Sequence, residues 1–123
     1  MNRDNLTSEV TEFILTRDIS EFETLNVDAI ARKFKITRPY LSHKFITEKN
    51  VSLSDYIFFI KILRSTMVLV DKSRLKVEDL SRMMGFSRTD YFIHIFKNII
   101  GVTPGKYRDI LKKLKSQNML ELE

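Results

Sequence analysis

The chain contains the same pattern twice. Val27-Asp28-Ala29-Ile30-Ala31-Arg32 matches Val77-Glu78-Asp79-Leu80-Ser81-Arg82 at an offset of 50. After one extra residue in the second turn the offset becomes 51, and Tyr40, His43, Phe45, Val51 and Tyr56 fall on Tyr91, His94, Phe96, Val102 and Tyr107. Self-similarity of this kind means that one supersecondary unit is used twice, which restricts the fold more than any composition does. With 123 residues there is room for about one domain, or two very small ones. Each copy is a short helix, a tight turn and a second helix with one face left polar and basic, the organisation of a helix-turn-helix.

The rest of the sequence is helical in period. Only three Gly and two Pro interrupt it, and apolar residues recur at three- and four-residue spacing, so the expected class is all-α with about seven helices. A first helix is expected at about 5–17 on Leu6, Val10, Phe13 and Ile14. Asn26 is a good N-cap for a second, with Asp28 at its positive end and Ile30, Ala31 and Phe34 on one face. Thr37 caps a third, whose Leu41 and Phe45 point inward and which Asn50 stops in a left-handed conformation. From 54 to 71 runs a helix that is apolar almost all round, which requires cover on several sides. The second copy brings a helix at about 77–84, a break at Gly85, a cap at Ser87 and a helix to about 100 with Phe92 and Phe96 inward. Gly101 stops that helix, and Pro104 opens a last one carrying Tyr107, Ile110, Leu111 and Leu114. The organisation is a single unit over 1–123: a first helix-turn-helix subdomain at 5–50, a linker helix at 54–71 and a second subdomain at 76–115.

Charge is unevenly placed. The formal net charge is +5, but residues 1–26 carry two basic against six acidic side chains, and 117–123 add two more acids. Residues 27–116 hold nineteen basic and eight acidic side chains, a balance of +11 laid over both repeats. Such a field favours an anionic partner. Cysteine is absent, which excludes disulfides and thiolate metal sites and is compatible with the cytoplasm. No stretch approaches ~18 apolar residues and no secretory leader is present at Met1, so no membrane association is expected. The bland ends, Met1 and Leu120-Glu121-Leu122-Glu123, favour a segment taken from a longer protein over a stand-alone chain.

The second copy holds Met84-Gly85-Phe86-Ser87, then Tyr91-Phe92, Phe96-Lys97, Gly101-Val102-Thr103-Pro104 and Tyr107-Arg108. The first holds Tyr40-Leu41-Ser42 and Phe45, with Tyr56 leading the long helix. In these residues the sequence, over about 5–110, resembles the DNA-binding domain of the AraC/XylS family of bacterial transcription regulators. Asn50 stands where that family usually has Gly, Lys61 where it has Arg, Ser65 where it has Ala, and Lys76 at the expected N-cap of the second unit. Lys35 occupies the turn position held by Gly85 in the other copy, where φ > 0 costs about 1 kcal/mol.

An 18-residue strut at ~1.5 Å per residue is about 27 Å long. With the displacement of each recognition helix from its end, the two helices come to about the ~34 Å of one DNA turn. One chain is then expected to enter successive major grooves and, because the copies differ, to read an asymmetric site.

On the first recognition helix the candidate base-contacting residues are Arg38, Pro39, Ser42 and His43. Arg38 suits guanine O6 and N7, or a phosphate; Pro39 starts the helix or packs on a thymine methyl. On the second they are Arg88, Thr89, Asp90, Ile93 and His94. Ile93 is suited to a thymine methyl or is a surface residue. Asp90 has three open readings: acceptor from cytosine N4, helix cap, or partner holding Arg88 in place. His43 and His94 are equivalent, and a shared DNA-facing role would make binding tighten as the imidazoles charge at lower pH. Phosphate contacts are expected from Thr37, Lys44, Lys49, Ser87, Lys97 and Arg108, giving a log–log salt slope of about −5.

No nucleophile–base pair, carboxylate pair or phosphate-cradling glycine loop is present, so an enzyme is not expected, nor any cofactor or metal. The expected function is a sequence-specific transcription regulator whose partner is double-stranded DNA. The resemblance implies activation by contact with RNA polymerase, in a segment that is itself monomeric. The competing reading is a helical protein-interaction module, such as an anti-activator, that does not bind DNA.

Overall fold

The structure, a computed structural model, describes residues 5–72 and 74–117. Residues 1–4 and 118–123, with the Leu-Glu-Leu-Glu end, lie outside the described residues. Those described form seven α-helices, α1 (Leu6–Leu15), α2 (Val27–Lys33), α3 (Arg38–Lys49), α4 (Leu53–Asp71), α5 (Val77–Met83), α6 (Thr89–Ile100) and α7 (Pro104–Ser116), with one 3-10 helix at Ile19–Thr24. Two compact units divide within α4, between Lys61 and Ile62.

In the first unit α1, α2, α3 and the start of α4 enclose Leu6, Val10, Ile14, Ile30, Leu41, Phe45, Leu53 and Ile57, all buried. Asn26 accepts from the Ala29 N–H at 2.8 Å and Thr37 from the Tyr40 N–H at 3.3 Å, so both helices start at their expected caps. The turn between them closes with the Ile36 N–H on the Ala31 carbonyl, which leaves Lys35 at φ 56°. Asn50 ends α3 at φ 59°. α1 is tied to α3 across 41 residues, where the buried Thr7 hydroxyl donates to Glu48. That bond, followed by the Lys44 ammonium 3.0 Å away, holds the Glu48 carboxyl below its ordinary range.

The second unit repeats the first in detail. The Phe86 N–H closes its turn on the Ser81 carbonyl, with Gly85 at φ 84°. Phe96 meets Tyr107 at 5.8 Å as Phe45 meets Tyr56 at 5.6 Å, and Gly101 ends α6 as Asn50 ends α3. Thr103 accepts from the Lys106 N–H as Ser52 accepts from the Asp55 N–H. Leu69, Leu80, Met84, Phe92, Phe96 and Leu111 form its core. Lys115 Nζ reaches the Val70 carbonyl at 3.2 Å and fastens α7 to the end of α4.

Two expectations need correction. The first helix ends at Leu15 and is followed by the 3-10 helix, opened by Asp18 accepting from the Ser20 N–H and anchored by the buried Phe22. Arg17 lies 4.1 Å over the Phe13 ring and pairs with Glu21 at 3.0 Å, which steadies this turn. Second, Ser87 does not cap α6: the extra turn residue moves the N-cap to Arg88, which makes no side-chain cap bond. The Asp90 carboxylate takes the Tyr91 N–H at 2.9 Å instead. α4 is buried on several sides, through Leu53, Ile57, Ile60, Ile62 and Leu69, and leaves one stripe open: Phe59, Leu63 and Met67, spaced four residues apart, are exposed at 44%, 39% and 62%. Ser65, at the position where small apolar Ala is usual, is satisfied within its own helix by donating to the Ile62 carbonyl at 2.7 Å.

Candidate nucleic-acid interface

A helix that buries Leu41 and Phe45 must turn the residues between them outward. On α3 this leaves Pro39, Tyr40, His43, Ile46 and Thr47 exposed, with Ser42 at the margin and Arg38 at the first turn. A shallow recess of about 240 Å³ runs along this helix beside Tyr40, His43, Lys44, Thr47 and Glu48. In α6 the buried pair is Phe92 and Phe96, and Asp90, Tyr91, His94, Lys97 and Asn98 point outward. Ile93 is half-buried at the edge of that face, and Thr89 is half-buried at its start.

The two arginines at the helix starts are both held by carboxylates. Arg38 Nη1 lies 3.0 Å from Asp28 Oδ2 in the first turn of α2. Arg88 Nε donates to Asp90 Oδ1 at 3.1 Å and Nη2 to Oδ2 at 2.6 Å. This pair lowers the Asp90 carboxyl below its ordinary range and raises the Arg88 guanidinium, in each case chiefly through the shared hydrogen bonds. The His94 ring is not isolated either, because Asn98 Nδ2 stands 3.2 Å from His94 Nε2, one turn further along the face.

The residues read as phosphate contacts separate into two groups. Thr37, Lys49, Ser87 and Lys97 are exposed near the ends or flanks of the two outward faces. Lys44 is half-buried and paired with Glu48, and Arg108 Nη2 donates to the Leu75 carbonyl, which ties α7 to the segment before α5. These last two side chains are engaged in holding their own units together.

Thr47 and Asn98, equivalent at offset 51, were not among the sequence candidates although both are exposed on the outward faces. Each lies four residues beyond a histidine that was, so extending the i, i+4 rule from His43 and His94 would have found them. Chemically the faces offer imidazole, hydroxyl, amide and guanidinium donors together with apolar Ile46, all on helices about 10–12 Å across. The B-DNA major groove, ≈ 12 Å wide, admits such a helix and presents donors, acceptors and thymine methyls to it.

Comparison with known proteins agrees with this arrangement. A family model described as a helix-turn-helix domain matches residues 30–110. The Msm operon regulatory protein of Streptococcus mutans is 34% identical over 85 residues, covering 69% of this chain and 30% of that protein. The transcriptional activator AggR of Escherichia coli is 31% identical over 104 residues, covering 80% of this chain and 36% of that protein. The chain thus spans about a third of the length of these relatives. Among solved structures, the DNA-binding domain of AdpA, a global transcriptional factor crystallised with a target DNA, superposes with a TM-score of 0.70 at 17% identity, covering 90% of this chain and 96% of that one. At that identity the likeness concerns the fold. The family match over most of the chain, the doubled helix-turn-helix and the shared fold together place this chain in the AraC/XylS-type helix-turn-helix family of DNA-binding transcription regulators.

Proposed function

We propose that this chain is the sequence-reading part of a transcription regulator, with α3 and α6 entering successive major grooves on one face of an asymmetric DNA site. The observation that carries the reading is the equivalence of the two outward faces. Two helices that follow the same kind of turn, end in the same left-handed conformation and rest on the same ring pair present His43 with Thr47 and His94 with Asn98, inside a segment of charge +11. The side chains differ between the faces, so the half-sites differ and one copy of the chain suffices. Arg38, Ser42 and His43 read the first half-site; Arg88, Ile93, His94 and Asn98 read the second. Thr37, Ser87, Lys49 and Lys97 fix the register on phosphates.

The role is one of binding, without catalysis, in the cytoplasm on nucleoid DNA, and among the described residues no helix is long and apolar enough to cross a membrane. A relative named as a transcriptional activator supports activation through RNA polymerase. Selection of bound sequences from random DNA with the 123-residue chain tests this reading. The expected result is an asymmetric consensus whose two halves lie about 10 bp apart, bound one chain per site. A perfect palindrome, or no enrichment, contradicts it.

A further inference from the structure

Arg88 and Asp90 share two hydrogen bonds, Nε to Oδ1 at 3.1 Å and Nη2 to Oδ2 at 2.6 Å. A guanidinium has five N–H groups in a rigid fork, and this contact uses the Nε edge. The far end, formed by both hydrogens of Nη1 and the second of Nη2, has no partner among the described residues. Asp90 is itself held, because its Oδ1 also accepts the Tyr91 N–H at 2.9 Å at the start of α6. Three donors therefore already converge on the carboxylate, which leaves it poorly placed to accept from cytosine N4.

Guanine shows O6 and N7 side by side in the major groove, and the end of a guanidinium fork matches them with two parallel hydrogen bonds. An unsupported Arg would instead sample several rotamers and could settle on a phosphate, which carries no sequence information. We infer that Asp90 is a positioning residue, which turns the free end of Arg88 toward the groove and so selects guanine at one position of the second half-site. This rests on the reading of α6 as a recognition helix. The first unit holds its arginine from another helix: Arg38 Nη1 lies 3.0 Å from Asp28 Oδ2.

The test is competition binding of the 123-residue chain to its selected site and to versions with each base pair of the second half-site changed. The proteins are the parent, Arg88→Ala, Asp90→Asn and the double variant. Asparagine keeps an acceptor for the Tyr91 N–H, so the helix start is preserved. Arg88→Ala should lower the preference for guanine at one position about 10-fold. Asp90→Asn should lower the same preference about threefold, as befits an exposed pair, while raising affinity for unrelated DNA and steepening the log–log salt slope by up to ~1. In the Arg88→Ala background it should have no further effect on that preference.

Unchanged guanine preference in Asp90→Asn, with the loss in Arg88→Ala intact, overturns the positioning role and leaves Arg88 as a base reader. A loss at a cytosine position that persists in the double variant overturns it too, by making Asp90 the reader. No loss at any position in Arg88→Ala removes the assignment of Arg88 to a base, and this proposal with it.

Discussion

Lys61 places a charge inside the protein, and its burial sets a testable cost. It is only 5% exposed on α4, and burial lowers its ammonium from the ordinary 10.5 to about 8. At 1.36 kcal/mol for each tenfold change in protonation, holding the charge at neutral pH costs about 3 kcal/mol. Between about pH 8 and 10.5 the folded chain binds fewer protons than the unfolded one, so stability rises with pH across that window. Below about pH 8 both states are charged and the penalty is present in full.

Lys61→Met keeps a long unbranched side chain and removes the charge. It should stabilise the protein by up to about 3 kcal/mol at pH 7, with a gain that shrinks steadily as pH approaches 10. Urea denaturation of both proteins by circular dichroism, at intervals from pH 6 to 10, reads this difference. A difference independent of pH, or a destabilised Lys61→Met at pH 7, would refute the reasoning.

Three further outcomes follow from the same geometry. Lys49→Ala and Lys97→Ala should each weaken DNA binding at every sequence and reduce the log–log salt slope by about 0.9, whereas Lys44→Ala, whose ammonium faces Glu48, should leave the slope unchanged in salt titrations. Glu48, held below its ordinary range by Thr7, stabilises above about pH 4.5 and loses that contribution as pH falls, so the melting temperature of the parent should drop relative to Glu48→Gln between about pH 5 and 3; parallel curves would count against the tie. Gly101 sits at φ 102° with open space around a would-be Cβ, so Gly101→Ala should cost about 1 kcal/mol from backbone alone, while Lys35→Gly at φ 56° should gain up to about 1 kcal/mol in the same denaturation assay.

Local chemistry made much of this fold legible in the sequence. Asn26 and Thr37 cap where they stand because their side chains suit orphan amides, and Asn50 and Lys35 take positive φ at the places where the turns demand it. The repeat carried over into three dimensions because equivalent aromatics meet in each unit, Phe45 with Tyr56 and Phe96 with Tyr107. What stayed hidden depends on contacts distant in sequence or on register. Ile19–Thr24 has no helical period to betray it, and its turn rests on the burial of Phe22, the Asp18 cap and the Arg17–Glu21 pair. Apolar content in α4 could not say that Phe59, Leu63 and Met67 would stay uncovered, because periodicity is silent when nearly every position is apolar.

At the candidate site, the outward positions of Arg38, His43 and His94 followed from the spacing of Leu41, Phe45, Phe92 and Phe96. The partners that set their geometry did not. Asp28 reaches Arg38 from another helix, and that Asp90 both pairs with Arg88 and takes the Tyr91 N–H is visible only in their distances. Lys44 and Arg108 looked like two more surface cations, yet one pairs with Glu48 and the other reaches the Leu75 carbonyl from 33 residues away.

The central claim is that one chain reads DNA with two equivalent but non-identical helices. Hydroxyl-radical footprinting on the selected site tests it most directly. The account predicts two protected stretches about one helical turn apart on the same face. His43→Ala should weaken one stretch and His94→Ala the other. A single protected stretch, or two that fade together in either variant, would contradict it.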